Sequence, residues 1–524
     1  MRREFVVVSS VVLAIIAGVA VVWRPILWTL VIVGPLVILG VVDMTQRRHA
    51  VRRNFPIVGH GRYLMELIRP EINQYFVESN NDGRPFSRND RSVVYQRAKG
   101  ELDTLPFGTQ RDVYAVGYEW INHSLAPVHA GPEGARVTVG GPQCRQPYSA
   151  SILNVSAMSY GSLSKNAVLA LNGGAKIGGF AHNTGEGGLS PYHLEPGGDV
   201  IWQVGTGYFG CRNPDGTFSL EQFTKRATLP NVKMIEIKLS QGAKPGHGGI
   251  LPAAKLTQEI IDIRGVEPGK DVISPPAHSA FSSPRGLLEF VQTLRDASGG
   301  KPVGFKLCVG KRHEFLAIVK AMVETRLFPD FITVDGSEGG TGAAPIEFSD
   351  FVGTPLNDGL SFVHAALTAA DVREHIRVIA SGKVNTGFQI AAKVALGADM
   401  CNAARAMMMA VGCIQALRCN SNKCPTGVAT QDPELVAGLD VTDKKVRVAR
   451  YHAETVKSFL EVLGAAGLAH PRDLKPWYVN RRVSALETRT YASIYPQAER
   501  GSLLASPPTG LLAPLWKEAS ADRF

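Results

Sequence analysis

Cysteine is scarce in this 524-residue chain, with seven residues at positions 144, 211, 308, 401, 413, 419 and 424. So thin a supply over this length cannot build a disulfide framework, which excludes the small stapled secreted scaffolds. Aromatic residues are only 8% of the chain and nowhere interleave with a basic stripe, so nucleic-acid binding is not expected. No fixed-period repeat is visible, which leaves repeat architectures out. Charged residues are 19% and hydrophobic ones 45%, an ordinary globular balance. The length suits two to four average domains, or one large α/β barrel with extensions.

Charge is missing altogether from two early stretches. Residues 5–23 are uncharged, a run of about 28 Å as a helix at ~1.5 Å per residue, which matches a bilayer core. After Arg24, residues 25–42 are uncharged as well. Arg2 and Arg3 precede the first run, and Arg47, Arg48, Arg52 and Arg53 follow the second. Residues 1–60 thus carry half of the net charge of +10. Under the positive-inside rule both flanks stay cytoplasmic, giving a transmembrane hairpin over 1–45 that turns at Trp23-Arg24-Pro25. The expected location is the inner or plasma membrane, with the remainder of the chain cytoplasmic. A cleaved signal is the competing reading, since Met1-Arg-Arg-Glu-Phe5 hints at a twin-arginine start. A buried soluble hairpin is another. The apolar stretch is too long for a signal core, and a second one follows it.

Residues 46–145 are charged and weakly periodic, and read as a linker plus an irregular N-terminal subdomain. From about 150 the texture changes to short β-branched runs alternating with helical patterns. Candidate strands lie at 151–156, 232–239, 271–274, 302–307, 330–334, 377–380 and 399–403. Candidate helices include 251–264, 284–297 and 314–325. Alternation of this kind argues for a parallel sheet, and about eight units over roughly 280 residues fit a closed barrel. The barrel is assigned to 146–435. A helix over 441–464 and a Pro-rich tail make up 436–524.

Four polar clusters follow the early candidate strands or lie between them. They are Ile152-Leu-Asn-Val-Ser-Ala-Met-Ser-Tyr-Gly-Ser-Leu-Ser164, Asn183-Thr-Gly-Glu-Gly-Gly188, Ile237-Lys-Leu-Ser-Gln-Gly-Ala-Lys-Pro-Gly246 and Ile273-Ser-Pro-Pro-Ala-His278. One such cluster is only a βα turn; four with ionisable residues point to an active site at the C-terminal face of a barrel. Gly336-Ser-Glu-Gly-Gly-Thr-Gly342 and Ser381-Gly-Lys-Val-Asn-Thr-Gly387 follow late strands, where barrels commonly bind phosphate through exposed backbone N–H groups. Ser381, Gly382, Lys383 and Gly387 are the phosphate candidates, with Ala404-Arg405 completing the cradle. Simple helix-entry turns are the alternative. Cys413, Cys419 and Cys424 share a twelve-residue window and Pro425 follows. Zinc normally takes four ligands, whereas three thiolates and a proline suit an iron–sulfur cluster. Cys401 leaves a fourth thiolate conceivable, but reads as core packing. Gly205-Thr-Gly-Tyr-Phe-Gly210 matches a dinucleotide fingerprint but runs into a turn, not a helix, and is set aside.

These strings resemble the synthase domain of glutamate synthase, closely over about 145–435, weakly over 50–145 and not at all over the first 45 residues. The resemblance implies an FMN-binding (β/α)8 TIM barrel with a [3Fe-4S] cluster on Cys413, Cys419 and Cys424. Ser156, Ala157 and Met158, together with Gly336, Gly339 and Gly340, would join the phosphate candidates around the FMN. Lys306, at a strand end, would face the flavin; an interior lysine paired with a carboxylate is the alternative. Lys244 and Arg264 would bind the carboxylates of a 2-oxoglutarate-like acid, with Glu186 and Gln241 at the same pocket. Ordinary ion pairs are the bland reading of these residues. The implied reaction is reductive amination to glutamate, with electrons from a donor such as ferredoxin, the work of an oxidoreductase acting on CH–NH2 donors. Two departures stand out. No cysteine precedes Cys144, so a glutaminase nucleophile is expected on a separate subunit if glutamine is the nitrogen source. A family glutamine and glutamate are replaced by Ile250 and His247, which fits free ammonia or another amine. A membrane-bound FMN dehydrogenase of another 2-oxo or 2-hydroxy acid and a non-catalytic electron-relay subunit are the competing functions.

Overall fold

A computed structural model describes residues 1–495 and 497–524. The chain divides into two compact units, Met1–Arg88 and Asn89–Phe524.

In the first unit the uncharged runs form α1 (Arg2–Val22) and α2 (Leu30–Thr45), joined by a 3-10 turn over Arg24–Thr29 with Pro25 at its start. Both arms, Arg2–Val22 and Arg24–Thr45, are long and apolar enough to cross a membrane, a property that signal sequences share. Only 6% of either apolar window is buried. Near the end of α2 the buried Asp43 accepts from the Ile57 backbone N–H at 2.9 Å and lies 2.8 Å from His60 Nε2.

The second unit is built on eight parallel strands. They are β1 (Leu153–Val155), β2 (Ala181–Asn183), β3 (Asp199–Val204), β4 (Val232–Lys238), β5 (Val303–Leu307), β6 (Phe331–Asp335), β7 (Arg377–Ser381) and β8 (Met400–Ala403). Pairing of Cys401 with Leu153 and Ala403 with Val155 joins β8 to β1 and closes the barrel. Helices follow most strands. The ones used below are α3 (Lys165–Gly178), α4 (Leu220–Ala227), α5 (Gln258–Arg264), α6 (Pro284–Ala297), α7 (Arg312–Thr325), α8 (Leu356–Ala369), α9 (Gly387–Ala395), α10 (Arg405–Val411) and α11 (Val441–Ala465). Ser164, Ser219, Thr257, Ser283 and Thr386 cap α3, α4, α5, α6 and α9 by accepting from an N3 backbone N–H. α11 lies so close on α3 that a Cβ at Gly174 would stand 2.6 Å from Val448 Cβ.

Two expectations change. The run at 271–274 is not a barrel strand: Val272–Ile273 pairs antiparallel with Ile250–Leu251 in a two-residue ladder beside the mouth. β2 and β3 lacked a clear sequence signal, because they carry polar side chains into the barrel. Glu236 on β4 accepts from Asn183 at 2.8 Å, Gln203 at 2.6 Å and Thr333 at 2.6 Å, tying four strands through one buried carboxylate. At the rim, Glu119–Ile121 and Thr488–Thr490 flank Val479–Arg482 in a small antiparallel sheet, so the segment before the barrel and the segment after it meet.

Candidate functional site

Strand alternation decides what faces the barrel axis. Thr333 points inward to Glu236, and Lys306 pairs in register with both Thr333 and Lys238, so the two lysines share the inward side above Glu236. Lys306 is buried and makes no ion pair among the described residues. Asn402, on β8, is buried with Oδ1 lacking a partner among the described residues. An unpaired cation and an orphaned acceptor inside a barrel are costly unless water or a ligand meets them.

The late strand ends draw together most of the phosphate candidates. Ser156 Oγ, after β1, lies 3.3 Å from Ser381 Oγ at the end of β7. Gly336 N–H donates to Ser381 O at 2.9 Å, and Gly339 N–H to Gly336 O at 2.8 Å, closing a tight turn after β6. Lys383 adopts φ +47°, a left-handed conformation in the β7–α9 turn, next to Gly382. Arg405, first residue of α10 after Ala404, donates to Glu338 O and packs where a Cβ on Gly340 would be 2.7 Å from its Cδ. Ala157 and Met158 continue from β1, where a Cβ on Gly185 would collide with the Met158–Ser159 backbone. Gly387 stands apart. A Cβ there would sit 2.4 Å from Phe459 N, so its smallness is explained by close packing of α9 on α11.

The early strand ends gather charge. Lys238 Nζ, at the end of β4, donates to Glu186 Oε1 at 2.7 Å. Gln241 Nε2 donates to Gly340 O at 3.1 Å, tying the β4 loop to the β6 loop. Lys244 Nζ donates to Ala343 O at 2.9 Å, and Arg264 Nη2 to Tyr160 O at 3.0 Å, while Arg264 Nε is buried without a partner. Arg264 also stacks over Phe209, 5.1 Å from the ring centroid. Burial pushes the Glu186 carboxyl up, but Lys238, Lys244 and Arg264 together hold it below its ordinary value. Burial and the neighbouring Lys238 pull Lys244 down to about 8 against the attraction of Glu186. Burial likewise takes Arg264 down to about 10. Three cations around one carboxylate leave excess positive charge in a sheltered pocket, suited to an anion with two negative charges.

Two loops roof this cluster. A Cβ on Gly249 would lie 2.3 Å from Glu186 Oε1, so the segment holding His247 and Ile250 rests directly on that carboxylate. The Gly205–Gly210 string, set aside as a dinucleotide motif, forms a turn whose Gly205 abuts Glu186 Cβ. Tyr208 Oη accepts from the backbone N–H groups of Ser279 at 3.1 Å and Ala280 at 3.0 Å, leaving its proton for His278 Nδ1 at 3.1 Å. His278 Nε2 then donates to Lys238 O at 2.9 Å. Burial pulls His278 down to about 4, keeping it neutral in this chain.

The cysteine loop follows α10. Gln415 N–H reaches Cys413 Sγ at 3.4 Å, and Thr426 Oγ1 lies 3.5 Å from Cys424 Sγ. Burial pushes Cys413 up to about 12, and the neighbouring thiols Cys419 and Cys424 add to the shift. Burial raises Cys424 too, but Thr426 and the N–H groups of Thr426, Val428 and Ala429 bring it below its ordinary value. The three thiols thus sit within electrostatic reach of each other. Among the described residues no group of three His, Cys, Asp or Glu converges on a single metal ion. Cys401 lies in the β8 wall, fully buried, with its thiol pushed up to about 12 by burial.

A family model described as a conserved region in glutamate synthase matches residues 143–469, more than half of the chain. The chain belongs to the glutamate synthase family. It is therefore an oxidoreductase of the class acting on CH–NH2 donors. It is 39% identical over 470 residues to the glutamate synthase large subunit-like protein YerD of Bacillus subtilis, covering 82% of this chain and 89% of that one. It is 38% identical over 316 residues to the archaeal glutamate synthase [NADPH] of Methanocaldococcus jannaschii, spanning 60% of this chain and 58% of that protein. Among solved structures, a mandelate oxidase variant with a monooxide FMN adduct covers 82% of this chain and 99% of its own at 13% identity, with a TM-score of 0.41.

Within this glutamate synthase-family site, sequence reasoning missed Lys238, the ion-pair partner of Glu186, and Asn402. Both had a readable signal. Lys238 is two residues beyond Glu236 on a run of otherwise apolar inward positions, and Asn402 interrupts an apolar strand.

Proposed function

We propose that the chain reductively aminates a 2-oxoglutarate-like acid to glutamate or an N-substituted glutamate, taking ammonia or a partner-supplied amine. The observation that carries this reading is the grouping of Lys238, Lys244 and Arg264 around a single carboxylate, Glu186. That excess of positive charge suits a dicarboxylate better than a monocarboxylic hydroxy acid. Arg264, with its Nε unpartnered, and Lys244 would each take one carboxylate.

The barrel mouth fits FMN. Ser156, Ser381, Gly382, Lys383, Gly336, Gly339, Gly340, Ala404 and Arg405 would hold the phosphate end, with Ala157 and Met158 beside them. Lys306, buried and without an ion pair, would stabilise negative charge on the reduced ring. Cys413, Cys419 and Cys424, whose thiols lie within electrostatic reach of one another, would hold a three-thiolate [3Fe-4S] cluster. Bound FMN would supply a hydride, and the cluster would relay single electrons from a donor such as ferredoxin. The chain's own residues do the rest. Glu186, held ionised, accepts hydrogen bonds from the incoming amine. Lys238, whose ammonium pairs with Glu186, would protonate the water that leaves as the imine forms. The loop of His247 and Ile250 lies over Glu186 and would select the amine.

We further propose that α1 and α2 anchor the enzyme in the inner or plasma membrane with the barrel on the cytoplasmic side. A separate glutaminase subunit would supply ammonia where glutamine is the nitrogen source.

The test is an anaerobic assay of the purified full chain with reduced ferredoxin, 2-oxoglutarate and either ammonium or methylamine, analysed by mass spectrometry. Glutamate or N-methylglutamate is the expected product. A flavin that is reoxidised by neither mixture, yet is reduced by a 2-hydroxy acid, would replace this reading with a membrane-bound dehydrogenase.

A further inference from the structure

The cysteine loop is stitched to the substrate side of the barrel by one buried charge. Lys255 sits in the segment between β4 and α5, the helix that carries Arg264, and is 2% exposed. Its Nζ donates to Ser162 O at 3.0 Å and to Ala429 O at 2.8 Å. An ammonium has three N–H groups, and the third has no hydrogen-bond partner among the described residues. Cys419 and Cys424 lie within its electrostatic reach. Ala429 is doubly placed: its carbonyl takes Lys255, while its N–H turns toward the Cys424 sulfur. Neutral ties run alongside. Asn422 Nδ2 donates to Ala254 O at 3.0 Å, and Gln431 Nε2 to Gly161 O at 3.1 Å and Leu163 O at 2.8 Å.

We propose that Lys255 is a positioning residue for the iron–sulfur site: its ammonium holds the cysteine loop against the Arg264 segment and raises the electron affinity of the cluster. The proposal rests on the three-cysteine cluster reading above. The loop could be held in place by amides alone, as Asn422 and Gln431 show. A buried cation is costly, and negative charge nearby offsets that cost. Thiolate-bound iron–sulfide supplies that charge and gains more on reduction, so a fixed cation nearby favours the reduced form.

The experiment compares wild type, Lys255→Gln, Lys255→Arg and Gln431→Ala as full-length protein in detergent. Iron, labile sulfide and flavin are counted per chain, and the cluster is titrated by EPR-monitored potentiometry. Lys255→Gln should keep its flavin and shift the midpoint to more negative potential. A tenfold change in the reduction equilibrium, about 59 mV for one electron, is the expected scale. Lys255→Arg and Gln431→Ala should titrate like wild type. Selective loss of iron from Lys255→Gln, with flavin and folding intact, would equally support the assignment. An unmoved midpoint at full iron content would overturn it, and so would the same shift in Gln431→Ala. A Lys255→Gln chain that loses flavin and iron and melts early makes Lys255 structural only. Iron-free wild type would instead bring down the cluster reading itself.

Discussion

Lys238 Nζ and Glu186 Oε1 stand 2.7 Å apart at the barrel mouth, the lysine buried and the carboxylate nearly so. Removing one partner of such a pair strands the other. Lys238→Met should therefore cost about 3 kcal/mol of stability, at the lower end of what breaking a buried pair costs. The pH dependence follows from Glu186. Its folded pKa lies below the unfolded value of 4.5, so its contribution is fully present above that value and is lost as pH falls through the folded one. Urea unfolding from pH 3 to 7 should show a flatter acid limb for Glu186→Gln than for wild type. Superimposable curves would remove the ion pair from the account of this site.

Lys244 should show itself in the alkaline limb. Burial and Lys238 bring it down to about 8, so the free enzyme loses this cation as pH rises through that value. The profile of kcat/KM for 2-oxoglutarate is expected to fall above about pH 8. Lys244→Arg should flatten the limb, since guanidinium stays charged. Lys244→Ala should raise KM roughly 10- to 100-fold, the worth of one charge-assisted hydrogen bond. An unchanged KM would discard the carboxylate role.

The sequence was most legible where one period ruled a whole element. Val303–Leu307, Phe331–Asp335 and Arg377–Ser381 are apolar runs on short strands, and α6 shows a capped amphipathic pattern over its full length. Legibility failed where the barrel axis demanded polar residues. Ala181–Asn183 is a strand because Asn183 meets Glu236 inside, a partner 53 positions away that no local pattern reveals. The reverse error came at Val272–Ile273, two β-branched residues that pair across the mouth with Ile250–Leu251. For the site, the resemblance to glutamate synthase marked Glu186, Lys244 and Arg264, but only the fold brings Lys238 to Glu186 and Lys255 to the cysteine loop. Gly387, a phosphate candidate by sequence, is also held to glycine by the close packing of α9 on α11.

Tyr208 offers a test of the loop scaffold that leaves charge untouched. Its hydroxyl accepts from two backbone N–H groups and donates to His278, which in turn fixes the Lys238 carbonyl. Tyr208→Phe removes the acceptor of two part-buried N–H groups and should cost about 1 kcal/mol, the net worth of an ordinary hydrogen bond. Hydrogen exchange should quicken at Ser279 and Ala280 first. Uniform exchange with unchanged stability would show that water replaces the hydroxyl freely.

The three cysteines can be separated from the flavin by chemistry. Cys419→Ser should lose most of its iron and labile sulfide while flavin per chain stays at the wild-type value, because the proposed phosphate cradle draws on other strand ends. Electron transfer from reduced ferredoxin to the flavin should fall by at least tenfold in that variant, whereas photoreduction of the flavin should not. Full iron content in Cys419→Ser would move the metal elsewhere, and Cys401→Ser tests the barrel-wall thiol as a fourth ligand.

The N-terminal helices make a prediction about the cell. Val21, Val22 and Trp28 are 85%, 90% and 78% exposed, and only 6% of either apolar window is buried among the described residues. Apolar helices of this length left in water would aggregate, whereas a bilayer satisfies them. The full chain should therefore pellet with membranes and resist alkaline carbonate, with an intact mass that begins at residue 1. In the proposed anchoring, arginines on both flanks place the ends of the hairpin inside, so protease added to intact spheroplasts should leave residues 46–524 whole, and lysis should expose them. A mature mass lacking the first apolar run would make it a cleaved signal, and digestion before lysis would invert the topology.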